Sequence, residues 1–143
     1  MTPSDTSTQV TPLSEKAKAL MRRPVLGTLA TVATDGAPQI SPLWIDLEGG
    51  DVVCNTAEGR AKPANIRRDP RVGLCVIDPN DPYNVVVLRG TVAEITTDGA
   101  DEHIDALAKK YLGVDEYPMR KPGEQRLKIR IRPEKVVMQP ADG

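Results

Sequence analysis

The sequence predicts a mainly β protein in which about six antiparallel strands close, or nearly close, into a barrel with two or three helices outside it. Two turn signals, Asp35-Gly36 and Glu48-Gly49-Gly50-Asp51, separate three consecutive β-rich runs and write a meander. The run from 125 to 132 alternates without error, with Leu127, Ile129 and Ile131 on one side and Arg126, Lys128, Arg130 and Arg132 on the other. Helical periodicity is confined to short segments that do not alternate with strands, which argues against a parallel βαβ sheet.

Residues 1 to 10 are polar and rich in Thr and Ser, so they are expected to form a disordered leader, with 11 to 143 as a single domain. Thr11-Pro12 reads as an N-cap followed by Pro at the first helical position, and Leu13, Ala17, Leu20 and Met21 recur on one face before Pro24 ends the helix. A strand over 25 to 34 meets its return strand at 38 to 47, and a short third strand covers 52 to 56. The period then changes. A helix of about two turns is expected over 60 to 69, where Pro63 is tolerable in the first turn and Asp69-Pro70 closes the segment.

A continuous apolar strand over 72 to 77 leads through a loop to a long strand over 84 to 95, in which Gly90 marks a bulge or bend. Thr97-Asp98-Gly99 is read as capping a helix with an acidic first turn and an apolar stripe of Ile104, Leu107, Ala108 and Tyr111, ending near Leu112-Gly113. A polar loop over 114 to 124 precedes the final strand, and 136 to 138 adds a short edge.

The chain has no Phe, one Trp and three Tyr, so its core must be aliphatic. Nineteen Lys and Arg stand against twenty Asp and Glu, which lacks the basic excess that phosphate neutralisation requires and disfavours nucleic-acid binding. No stretch approaches the ~20 apolar residues that span a bilayer, and no signal peptide is written, so no membrane association is expected and the protein is read as cytoplasmic. Cys54 and Cys75 each lie within an apolar run and read as buried thiols in a reducing compartment.

The single histidine, His103, excludes a His-based triad or a multi-His metal site, and its place on the acidic helix reads as solvated surface. Neither GxGxxG nor a Walker motif is present. The most informative segment runs from Asn55 to Asn65. It joins a strand end to a helix N-terminus, where unpaired N–H groups and the helix dipole favour an anion, and Thr56, Arg60 and Lys62 add donors. The competing reading is a helix whose first turn happens to be basic, an arrangement the macrodipole disfavours.

Three blocks carry a family resemblance: Asp35-Gly36-Ala37-Pro38-Gln39-Ile40-Ser41-Pro42-Leu43-Trp44, then Asn55-Thr56 with Gly59-Arg60-Ala61-Lys62 and Asn65-Ile66-Arg67-Arg68-Asp69-Pro70, then Leu88-Arg89-Gly90-Thr91-Val92. In order and spacing they resemble the pyridoxamine-phosphate-oxidase-like split-barrel superfamily, and within it the actinobacterial deazaflavin (coenzyme F420)-dependent oxidoreductases. The resemblance implies a six-stranded antiparallel split β-barrel, a homodimer with the cofactor across the subunit interface, and hydride transfer from reduced coenzyme F420 to a conjugated or quinone-like small molecule. An FMN-dependent reductase of the same fold, or a non-catalytic flavin- or deazaflavin-binding protein, is the alternative.

The resemblance also implies roles. Ser41, Pro42, Leu43 and Trp44 would frame the cofactor ring, Asn55 and Thr56 would lie beside its ribityl chain, and Arg60, Lys62 and Asn65 would bind phosphate. A lone Trp in a strand is otherwise a core residue. The stripe of Arg126, Lys128, Arg130 and Arg132 is either a solvated outer face or an attraction for an anionic cofactor tail, with Arg130 favoured for the latter. No residue need act as a catalytic acid or base, since the hydride chemistry belongs to the cofactor. Ala61-Lys62, where pyridoxamine phosphate oxidase carries adjacent Arg-Lys, together with Ile40 and Ile45 at the ends of the second strand, argues against oxidation of pyridoxamine phosphate itself.

Overall fold

The computed structural model describes residues 12 to 139. Seven strands, β1 (Gly27–Val32), β2 (Pro38–Leu43), β3 (Ile45–Glu48), β4 (Asp51–Ala57), β5 (Arg71–Asp78), β6 (Asp81–Thr96) and β7 (Arg126–Gln139), form one antiparallel sheet in the order β2-β1-β5-β6-β7-β4-β3. The three helices are α1 (Glu15–Arg22), α2 (Ala61–Arg68) and α3 (Ala100–Leu112). None is long and apolar enough to cross a membrane.

β2 and β3 stand at opposite ends of the strand order, yet only Trp44 separates them in the chain. β2 pairs with β1 and β3 with β4, so one extended segment changes neighbours at Trp44 and the sheet curls into a split barrel. This exchange raises the strand count from the expected six to seven.

Alternation sends Leu29, Ile45, Val52, Cys54, Val76, Val86, Ile129 and Ile131 into a fully buried aliphatic core. Fully burying each side chain of this kind contributes ~1.5–3 kcal/mol. Ala17, Leu20 and Met21 of α1 join the same core, and that helix packs over β3 and β5. α2 lies against β1 and β4, and α3 against β7 and β4.

Several local expectations need correction. The cap of α1 is Ser14, whose Oγ accepts from the Ala17 amide at 3.1 Å, while Thr11 and the leader at 1 to 10 lie outside the described residues. A free backbone donor outranks Pro12 here because the Ser hydroxyl reaches it three residues on. α3 starts at Gly99 in the left-handed region, with no side-chain cap. It ends at Gly113, as expected, where the amide bonds to the Lys109 carbonyl.

The separate edge expected at 136 to 138 is continuous with the last strand, because β6 is long enough to pair with all of it. The pairing shifts register where Gly90 faces Pro133 and Arg89 faces Lys135, so β7 carries one extra residue between them. A Cβ at Gly90 would collide with the Arg132 carbonyl oxygen, which explains the glycine.

Candidate functional site

The connection from β4 to α2 is the segment expected to hold an anion, and its local features are these. Thr56 is 1% exposed, and its Oγ1 has no hydrogen-bond partner. Arg60 occupies the N-cap of α2 without a side-chain cap, and the first turn holds no acidic residue. Lys62 is half-buried, and desolvation, with the nearby Arg60 charge, pulls its ammonium below the usual lysine range. Cys54 and Thr56 lie on the same face of β4. Among the described residues no carboxylate bridges to Lys62. Arg60 is half-exposed, with its nearest carboxylate, Glu124, at 3.5 Å.

The neighbouring polar residues hold this connection in place. Asn65 is buried and its Nδ2 donates to Thr31 Oγ1 at 3.2 Å and Gln39 Oε1 at 2.5 Å, which ties α2 to the β1–β2 hairpin. Arg67 forms a two-pronged pair with Glu58, and Arg68 donates to the Val32 carbonyl.

Asn55 points to the opposite face of β4. Its Nδ2 donates to the Ala100 carbonyl at 2.9 Å and to His103 Nδ1 at 3.1 Å, while its Oδ1 accepts from Arg126 Nε at 2.9 Å. The Asn55 side chain therefore has no hydrogen left for a ligand, and what sequence reasoning placed beside a ribityl chain is a clamp between β4, β7 and α3.

His103 is likewise not a solvated residue: it is 8% exposed. Its proton is assigned to Nε2, a buried atom with no partner. Burial, and then the Lys128 ammonium, push it down to about 4 from 6.5, against weaker opposing effects of Glu48 and Asp46. A signal was present in the sequence, since Ala100, His103, Ile104 and Leu107 share one helical stripe.

The basic stripe of β7 is not a solvated face. Arg126 is 4% exposed, bonded to Glu124 at 3.1 Å, and lies over the Tyr117 ring at 5.1 Å. Lys128 pairs with Glu48. Arg130 is shared among Glu48 at 2.7 Å, Asp51 at 3.5 Å and Glu94 at 3.8 Å. Only Arg132 of the four is exposed. Sequence pattern shows the stripe but not its carboxylates, which arrive from other strands and from the loop before β7.

The residues expected to frame a ring are divided by strand alternation. Ser41 pairs with buried Leu29 and faces inward with Leu43, while Pro42 pairs with Thr28 and faces outward. Trp44 stacks on Tyr111 at 5.3 Å and meets Tyr117 edge-on at 6.0 Å. The Tyr111 hydroxyl donates to the Val25 carbonyl at 2.6 Å and accepts from the Ile45 amide at 3.0 Å, and Lys110 donates to the Met21 and Ile45 carbonyls. The end of α3 thus pins the corner where the chain changes neighbours.

Among the described residues, no helix covers the outer face of β2, β1, β5 and β6. Register aligns Pro42, Thr28, Cys75, Val87 and Val137 across it. Leu26, Ile40 and Ile77 are 55%, 63% and 51% exposed, and together they form an apolar patch on this face. Two shallow grooves lie on this face, one of ≈ 440 Å³ between Leu26, Cys75 and Ile77, the other of ≈ 370 Å³ over Ala30 and Gly73 with Arg71 and Arg89 at its rim. Cys75, expected to be buried, is only partly buried here because it alternates with Leu74 and Val76. Cys54 is buried as expected, and burial pushes its thiol up to about 12.

A split barrel with a basic, uncapped helix start after β4 defines a class of protein, and comparison with known proteins defines its family. The family model described as pyridoxamine 5'-phosphate oxidase matches residues 13–138, and the chain belongs to that family. It is similar to a solved F420 reductase, with 31% identity and a TM-score of 0.77 over 87% of this chain and 98% of that one. A conserved hypothetical protein from Mycobacterium tuberculosis shares the fold at 21% identity and a TM-score of 0.72, covering 92% of this chain and 87% of that one. A putative pyridoxamine 5'-phosphate oxidase from Listeria innocua does so at 17% identity and a TM-score of 0.65, covering 84% and 92%.

Proposed function

We propose that this protein is a cytoplasmic oxidoreductase that binds coenzyme F420 and reduces a conjugated or quinone-like small molecule. One observation carries the reading: the strand that ends in Thr56, whose buried Oγ1 has no partner, leads into an uncapped helix start bearing Arg60 and the half-buried Lys62. A phosphate-bearing ligand satisfies the hydroxyl, the first-turn N–H groups and the ammonium at once. The 31% identity to an F420 reductase supports the deazaflavin over other phosphate-bearing cofactors.

When bound, that cofactor supplies hydride transfer; the protein's part is to hold it, orient it and exclude water. Thr56, Arg60 and Lys62 form the cradle that holds the phosphate. Asn65 acts by positioning α2. The segment from Ser41 to Trp44 would frame the ring, and Pro42 of it belongs to the outer sheet face. Arg130 is left out of the assignment because three carboxylates already engage it.

The uncovered apolar face supports a homodimer that completes the pocket. A second copy of the same face buries Ile40, Ile77 and Val87 and supplies the second wall a tricyclic ring needs.

Parallel binding titrations with coenzyme F420 and FMN test the proposal. Tighter binding of the deazaflavin is expected, and Lys62→Ala should weaken it by ~1.5–3 kcal/mol, the scale of a hydrogen bond to a charged group. Preference for FMN would replace the cofactor while keeping the cradle. Undiminished affinity in the Lys62→Ala protein would remove the cradle.

A further inference from the structure

Glu124 ends the loop that follows α3, and its position is set by the cradle itself. The amide of Glu58 donates to the carbonyl of Gln125 at 2.9 Å, which straps the loop end to the turn before α2. The Glu124 side chain is 9% exposed, and its two oxygens are divided between two cations: Oε1 accepts from Arg126 Nη1 at 3.1 Å, whereas Oε2 lies 3.5 Å from Arg60 Nη2. The two halves are unequal. Arg126 is buried, but Arg60 is half-exposed and held at the limit of hydrogen-bonding distance.

We propose that Glu124 is the internal counter-anion of the cradle, engaging Arg60 until a phosphate-bearing ligand displaces it. This rests on the cradle reading above and adds a regulatory residue to it. A phosphate offers more negative charge and more acceptors than one carboxylate oxygen, so it takes Arg60, and both Glu124 oxygens then fall to Arg126.

That shift is transmitted. Arg126 also donates to Asn55, the neighbour of Thr56 on β4, and its guanidinium lies over Tyr117, which meets Trp44 edge-on at 6.0 Å. Arg126 is thus in contact both with the cradle strand and with the aromatic group at the β2–β3 corner. Trp44 is the only tryptophan in the sequence, so its emission reports the relay without interference.

The test titrates inorganic phosphate into the full-length protein, with binding measured by calorimetry and Trp44 emission followed in parallel. Phosphate should alter Trp44 emission in the wild type. Glu124→Gln should bind phosphate about three- to fivefold more tightly, the scale of one partly exposed ion pair, and should lose most of the emission change. Tyr117→Leu, which spares every cradle residue, should keep phosphate affinity and also lose the emission change.

If Lys62→Ala abolishes binding but Glu124→Gln binds no more tightly than wild type, the cradle stands and the counter-anion role is overturned. An emission change of full size in Tyr117→Leu overturns the relay, a result that holds even should the Glu124 variant fail to fold. If wild type and Lys62→Ala respond to phosphate identically, the cradle fails and Glu124's role goes with it.

Discussion

His103 shows how far one buried residue departs from its appearance in sequence. Its folded-state value of about 4 lies below the 6.5 of an ordinary imidazole, so between these two values the unfolded chain binds a proton that the folded chain refuses. Stability from this group is therefore complete above pH 6.5 and falls as pH drops towards 4, by on the order of 3 kcal/mol. His103→Gln should flatten the dependence of unfolding free energy on pH across that window relative to wild type. Identical slopes in the two proteins would show that the imidazole is free to take up a proton in the folded state. Asn55 belongs to the same scale: its type and place at a strand end matched a ligand-binding pattern, but its hydrogen bonds are all consumed by α3 and β7.

At the scale of elements, the close crossing of β6 and β7 depends on Gly90. Gly90→Ala forces the Arg132 carbonyl aside or opens the β-bulge, and should cost ~1–3 kcal/mol in chemical denaturation. Gly73→Ala is the control, because a Cβ there meets nothing nearer than 3.9 Å; its stability should stay within about 0.5 kcal/mol of wild type. Equal costs at the two positions would mean that loss of backbone freedom, not the close approach, decides both. The bulge was legible in sequence as a glycine inside a long apolar strand. The exchange at Trp44 was not, since nothing local distinguishes a strand with one partner throughout from a strand that trades one partner for another.

For the whole molecule, the homodimer proposed above rests on the apolar face of β2, β1, β5 and β6. A stable interface of standard size buries ~800 Å² per partner. Ile77→Glu places a charge in that centre and should convert a dimer into a monomer in sedimentation at micromolar concentration, with the barrel's secondary structure intact. A wild-type protein that sediments as a monomer, or a variant that remains dimeric, would refute the use of this face.

The amino-acid sequence by itself determined which segments are strands and helices, which side of each strand is aliphatic, and that a basic, uncapped helix start follows β4. Those features rest on turn chemistry, on periods of two and of 3.6 residues, and on capping, all of which act over a few neighbouring positions. Only the tertiary structure decided that Asn55 meets His103 across 48 positions, that Lys128 meets Glu48 across 80, and that Trp44 marks the change of neighbours. These depend on how the sheet closes on itself, which brings together residues whose separation in the chain carries no local signature.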